Sequence, residues 1–246
     1  LISVNKKDLI NKVFSSGTSG SNLSKINLDK INSINQVRAL KSIVQSIIGS
    51  KRMPMLIFEK KPIKDKNFIF NAKVAGIFGF SIFGINHTYV LNENNELDIK
   101  ILNKFLNKYK NQKFLIFGFT SSIYEQLILK NQINNKFDLS KGYLIHGGGW
   151  KKLENLKISK KNFNLKLKNK FNLKNIINYY GLVEQTGSIF IEGRGCGFLH
   201  TSIYSDIIIR DLEFNVLENR KKGIIQLLSL LPSSYPGHNI ITEDMG

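Results

Sequence analysis

Ile31, Ile34, Val37, Leu40, Val44 and Ile47 recur every three or four residues along NLDKINSINQVRALKSIVQSIIGS, which places them on one stripe of a helix. Asn27 or Asp29 stands where a side-chain oxygen caps a helix start, and Gly49 stands where helices commonly stop. The stretch before this pattern, FSSGTSGSNLSK (14–25), is dense in glycine and hydroxyl residues and closes on Lys25. A surface linker has a similar composition. The position in front of a helix favours another reading, a short loop whose free backbone N–H groups and hydroxyls surround an anion.

The middle of the chain alternates. KFLIFGF (113–119) reads as a buried strand, SSIYEQLILKNQI (121–133) as a helix and GYLIH (142–146) as a second strand, which makes a βαβ unit. A further apolar run, PMLIF, begins at Pro54. After residue 175 short strands take over, IINYY, SIFIE, SDIIIR and GIIQLLSLL, with glycines at their ends. The fold class is therefore α/β, with βαβ layers and a β-rich later part. Residues 151–174 are the most charged segment and read as a solvated connection and helix surface. There is no internal repeat and no long linker, so one domain is the simplest account.

Composition narrows the classes. A chain of 246 residues with 42% hydrophobic content buries a substantial core. No apolar run approaches the roughly 20 residues of a membrane helix, and LISVNKKDLI does not resemble a signal peptide, so a cytoplasmic protein is expected. The single cysteine, Cys196, allows no internal disulfide and excludes a cysteine-rich zinc site. The net charge of +18 invites a nucleic-acid surface. Its lysines, however, are spread along the chain among Asn and Ile, as A/T-rich codons would place them, so no specific nucleic-acid partner is expected. The charge still suits an anionic substrate.

Three further loops carry candidate chemistry. HGGGWKK (146–152) follows a strand and offers Cβ-free backbone to a ligand. It also resembles the HGGG oxyanion loop of esterases, but the chain has no G-x-S-x-G elbow: GTSGS (17–21) ends in serine and GFSIF (79–83) fails as well. YYGLVEQTGSIFIE (179–192) sets Tyr180, Gly181 and Glu184 in a turn between two apolar strands, where a carboxylate is able to hold Mg²⁺ near phosphates. TED (242–244), soon after SYPGH (234–238), puts Asp244 in a loop after a strand, where an aspartate takes both hydroxyls of a ribose. Neither G-x-x-x-x-G-K-[ST] nor G-x-G-x-x-G is present, which argues against a P-loop kinase and a Rossmann dehydrogenase.

In order, SSGTSG with its following lysine, HGGGWK, YGLVEQTGSIFIE, RD and GIIQLLSLLPSSYPGHNIITED resemble the acyl-protein synthetases of the LuxE type over nearly all of residues 14–246. These belong to the acyl-adenylating superfamily of acyl-CoA ligases and firefly luciferase. The resemblance implies ATP and Mg²⁺ as cofactors and two steps: a fatty-acid carboxylate attacks the α-phosphate of ATP to give acyl-AMP and pyrophosphate, and the acyl group then passes to a protein thiol. By the same resemblance Ser15, Ser16, Thr18 and Ser19, with the backbone of Gly17 and Gly20, would hold the β- and γ-phosphates, with Lys25 adding positive charge. Gly147, Gly148, Gly149 and Trp150 would border the adenine pocket, with Tyr180 and Gly181 against the base. Glu184 would be the Mg²⁺ carboxylate and Asp244 the ribose carboxylate. The acyl tail would lie against apolar segments such as 74–85 and 116–124.

The family pattern extends beyond both ends of this chain, so one domain over 1–246 is expected to lack the family's N-terminal start and its C-terminal part, which usually supplies a catalytic lysine and the acyl-accepting cysteine. Cys196, near Arg194, which would lower its pKa, reads as a structural or surface cysteine rather than the acceptor. The partners implied are a fatty acid and an acyl-accepting reductase or carrier protein. The competing readings are the same adenylation with coenzyme A or a carrier protein as acceptor, and a nucleotide- or nucleic-acid-binding module without catalysis.

Overall fold

The computed structural model describes residues 2–15, 24–62, 70–130, 137–193 and 196–246. The chain forms two compact units. The first comprises Leu1–Ile47, Ile69–Ala75 and Tyr180–Gly246, the second Ile48–Phe68 and Gly76–Tyr179.

The first unit opens with strands β1 (Leu9–Phe14) and β2 (Lys25–Asp29), an antiparallel pair in which Phe14 stands opposite Lys25 and Val13 opposite Ile26. Helix α1 (Lys30–Ile48) follows directly. The glycine and hydroxyl run therefore joins two strands, and β2 separates it from the helix it was expected to lead into. The missed signal is the alternation in KINLD, whose apolar Ile26 and Leu28 are buried.

Asp29 caps α1 by accepting from the backbone N–H of Asn32 at 2.7 Å, and the helix stops before Gly49, whose φ of +83° is the left-handed conformation of a helix terminus. The inward face differs from the expected stripe. Asn32, Gln36, Ala39, Leu40, Ile43 and Val44 are buried, whereas Ile31, Ile34 and Val37 are exposed at 67%, 40% and 49%. Tertiary hydrogen bonds to Asn32, and a close approach of Gly187 to the backbone of Gln36, select this phase over the more apolar one.

The second unit is built on β3 (Met53–Ile57), helix α2 (Ala72–Ser81) from Gly76 onward, β4 (Gly84–Tyr89), α3 (Ile99–Tyr109) and β5 (Phe114–Phe119). After β5 come α4 (Thr120–Ile123), which widens into a π-helical turn at Tyr124–Leu129, then β6 (Gly142–Gly147), α5 (Lys160–Phe171) and β7 (Asn175–Tyr180). The strands are parallel in the order β4, β3, β5, β6, β7. Every residue of β3, and all of β5 but Phe119, is buried, which explains why both read as unbroken apolar runs. The βαβ pattern is observed, although the helix expected over 121–133 runs from Thr120 to Leu129 and 131–136 lie outside the described residues. IINYY is the last parallel strand rather than the first of the β-rich part. The charged 151–174 segment holds a short 3-10 helix and α5, which buries Phe163, Leu167 and Phe171 at four-residue spacing and exposes Lys161, Lys166 and Lys168.

The later strands complete the first unit. β8 (Phe190–Glu192) pairs antiparallel with β9 (Leu199–His200), and β10 (Ser205–Arg210), β11 (Ile224–Ser229) and β12 (Asn239–Met245) form an antiparallel sheet in that order. Tyr235 packs with Val13, Ile26 and Leu28 of the β1–β2 pair. Among the described residues no helix is long and apolar enough to cross a membrane.

Candidate active site

Parallel strands point their carboxyl ends at one edge of a sheet, the usual ligand edge of open α/β sheets. In the second unit Gly147 ends β6 at that edge. A Cβ on Gly147 would lie 2.5 Å from the carbonyl oxygen of Tyr179, so only glycine lets the two strands close here. Gly148 follows with φ +78°, and both Gly148 and Gly149 are exposed, presenting backbone to solvent. Trp150 turns inward, its ring edge-on to Tyr124 at 4.7 Å and to Phe163 at 6.3 Å, so that it anchors the glycine loop in the core.

His146, in front of the glycines, is buried. Burial, reinforced by the nearby Lys160 charge, pushes its pKa down to about 3, so the ring is neutral. The Thr120 hydroxyl donates to the carbonyl of Gly147 at 3.1 Å and lies 3.0 Å from His146 Nδ1. A hydroxyl has one proton, so with that proton on the carbonyl, Nδ1–H is the donor to Thr120. This bond holds β6 to the turn after β5. The apolar segments expected along the acyl tail are core in part: Ile77, Phe80 and Phe117 are buried, Phe80 stacks on Phe117 at 4.7 Å, and Tyr179 lies 4.7 Å from Phe80.

The first unit carries the remaining candidates. Ser15 closes the base of the glycine and hydroxyl run: its N–H donates to the carbonyl of Ser24, and its Oγ accepts from the N–H of Ser24, both at 2.9 Å. The Ser15 hydroxyl carries, besides that acceptor role, a proton of the kind that donates to an anion. Lys25 is exposed at the first position of β2. Ser16, Gly17, Thr18, Ser19 and Gly20 lie outside the described residues.

Tyr180 and Asp244, 64 residues apart, meet: the Tyr180 hydroxyl donates to Asp244 Oδ2 at 2.6 Å. Burial and the bond to Asp244 raise the Tyr180 pKa, so the phenol keeps its proton and remains the donor. Asp244 stands within β12, not in a loop after a strand as its sequence context suggested; the N–H of Asp244 reaches Thr242 Oγ1 at 3.2 Å, and Thr242 in turn donates to the Ile225 carbonyl at 2.9 Å. Gly181 follows Tyr180, and a Cβ there would touch Ile189 at 3.0 Å.

Glu184 is half-buried on a 3-10 helix, Val183–Gln185. Its neighbour Gln185 fixes the turn by donating from Nε2 to the carbonyls of Gly237 at 2.9 Å and Leu227 at 3.2 Å. The turn is tightly seated, since a Cβ on Gly237 would come within 2.6 Å of the Glu184 carbonyl. Burial and the Glu184 charge raise the pKa of Tyr235 on the same loop. Among the described residues no three His, Cys, Asp or Glu side chains cluster as a metal cage. A single carboxylate fits Mg²⁺, which keeps waters and takes one or two carboxylates with substrate phosphates.

Sequence reasoning missed His200. Its Nε2 lies 2.9 Å from Cys196 Sγ across the β8–β9 turn, and that bond, aided by the N–H of Phe198, lowers the thiol pKa; Arg194, the expected cause, lies outside the described residues. The thiolate is thus present at lower pH than in an isolated cysteine. Iodoacetamide alkylation of Cys196 is expected to reach half its maximal rate at a lower pH in wild type than in His200→Ala. Identical midpoints would show that the imidazole does not act on the sulfur. The signal was available as C-x-x-x-H, once a hairpin between 192 and 199 is granted.

Solved structures share this architecture. ATP-bound MatB from Rhodopseudomonas palustris matches with a TM-score of 0.64 at 15% identity, covering 99% of this chain and 46% of that one. An open conformation of 2-hydroxyisobutyryl-CoA ligase in complex with 2-HIB-AMP and CoA matches with a TM-score of 0.71 at 9% identity, over 98% of this chain and 53% of that one. A long-chain-fatty-acid-CoA ligase from Archaeoglobus fulgidus matches with a TM-score of 0.59 at 13% identity, over 89% and 41%. The chain spans about half the length of these structures. No curated protein sequence matches it. The fold is that of the acyl-adenylating enzymes. Within that class, the chain belongs to the acyl-protein synthetase family, LuxE, whose model matches residues 1–246.

Proposed function

We propose that this chain carries the ATP-dependent adenylation of a fatty acid, with transfer of the acyl group to a cysteine of a protein acceptor as the second step. The observation that supports this most directly is the contact of Tyr180 with Asp244: the residues that the family resemblance assigns to adenine and ribose, far apart in sequence, meet in one unit.

In the first step a carboxylate oxygen of the fatty acid bonds to the α-phosphorus of ATP, and the bond to pyrophosphate breaks. A carboxylate resists nucleophiles; as a mixed anhydride with AMP it has a good leaving group. Both reactants are anions, so the site must offset charge that builds on the pyrophosphate oxygens. In this reading the hydroxyls and N–H groups of 15–20 and the Lys25 ammonium meet the β- and γ-phosphates, and Tyr180 lies against the base; the family resemblance gives the Gly147–Gly149 backbone to the adenine as well. Asp244 accepts from the ribose hydroxyls with the lone pairs left over from Tyr180. Glu184 would hold Mg²⁺ against the phosphates, where the ion supplies charge neutralisation. In the second step a thiolate adds to the acyl carbonyl, the C–S bond forms and AMP departs. One matched ligase was solved with CoA, so CoA is the rival acceptor; offering CoA and candidate proteins to preformed acyl-AMP separates the two.

Acid-dependent exchange of labelled pyrophosphate into ATP, with Mg²⁺ and fatty acids from short to long, tests the first step. Exchange with particular acids is the expected result and identifies the substrate. Folded protein that binds ATP but exchanges with no acid would restrict this chain to nucleotide binding.

A further inference from the structure

Asn32 has no part in the roles above, yet its side chain is fully buried and richly hydrogen-bonded. Its Nδ2 donates to the Leu231 carbonyl at 2.9 Å. Its Oδ1 lies 2.9 Å from the Ser234 hydroxyl and accepts from the N–H groups of Ser233 at 3.1 Å and Ser234 at 3.3 Å. Ser234, itself 0% exposed, also reaches the carbonyl of Asn27 in β2 at 2.9 Å, and its own carbonyl accepts from the N–H of Ser3 at 2.9 Å. A lone amide in a core would be a liability. Here its acceptor capacity and one of its donors are used by a single distant segment, 231–234.

That segment connects the proposed nucleotide contacts. Upstream of Asn32, β2 begins at Lys25, next to the glycine and hydroxyl run. Downstream of Ser234 the chain passes Gly237, which receives Gln185 from the Glu184 turn, and enters β12 with Asp244. We propose that Asn32, through Ser234, is the positioning residue that sets the register between the strand leaving the phosphate run and the segment that carries the ribose carboxylate Asp244 and receives, at Gly237, the turn with the magnesium carboxylate Glu184. This inference rests on the adenylation reading for what the three elements bind. Its observable is ATP affinity, because triphosphate and ribose must be met at once, and a displacement of about 1 Å between such groups is able to cost up to a hundredfold.

The test is calorimetric ATP binding with Mg²⁺ on the full chain, with thermal melting alongside. Asn32→Ala is expected to weaken ATP binding tenfold or more, an estimate of about that order from misplacement alone. Asn32→Ala removes several core hydrogen bonds at once, so Ser234→Ala, which removes one hydroxyl only, is the milder variant and is expected to weaken binding about threefold to fivefold. Lowered melting with ATP affinity within twofold of wild type in folded Ser234→Ala would mark the clamp as structural only and overturn the proposal. A wild type that binds ATP but exchanges no pyrophosphate would sink adenylation and leave the affinity comparison decisive. A wild type that binds no ATP would overturn both.

Discussion

Glu184→Gln is expected to lower acid-dependent pyrophosphate exchange about a hundredfold, the scale at which removing one preorganised electrostatic group acts. The substitution keeps the side-chain volume and removes the charge. Glu184 is half-buried, and its 3-10 turn is held by Gln185, not by the carboxylate, through bonds to the Gly237 and Leu227 carbonyls. The melting temperature should therefore stay close to wild type. The affinity of magnesium-free ATP should change little, since the lost charge acts through the ion. Exchange within a few-fold of wild type, in protein that melts normally, would remove Glu184 from the site.

The second large effect concerns stability. Gly187 has φ +88°, and a Cβ there would lie 2.6 Å from the carbonyl oxygen and 2.7 Å from the Cα of Gln36. Backbone cannot yield as a flexible side chain does, so Gly187→Ala combines left-handed strain with a clash against helix α1. The loss is about 3 kcal/mol or more, seen as a fall in melting temperature on the order of 10 °C. The turn with Glu184 lies three residues upstream, so residual folded protein should also exchange pyrophosphate poorly. Gly149→Ala is the control: nothing lies within 4 Å of its would-be Cβ, and a change within about 0.5 kcal/mol is expected. Equal melting of the two variants would show that the close approach at Gly187 is not a constraint.

The buried parallel strands, the capped helix ending at Gly49 and the ordered series of glycine-rich motifs were legible in the sequence because each is local. Apolar runs report burial on both faces, and glycine reports positions of left-handed backbone, as at Gly49, or without room for a Cβ, as at Gly147. Family membership was legible for the same reason, since the motifs are short and their order survives in the chain. Which face of α1 turns inward was not legible: the first half of its apolar stripe, Ile31, Ile34 and Val37, is left exposed, and Asn32 and Gln36 face the core because partners far along the chain receive them. Nor could spacing reveal that Asp244 lies within a strand and meets Tyr180 from 64 residues away, or that Asn32 grips a serine 202 residues on. The sequence by itself determined the element types and the chemical inventory, through periodicity and side-chain chemistry acting over a few residues. Only the tertiary structure decided which of those groups share a place, because hydrogen-bond partners are chosen by distance in space.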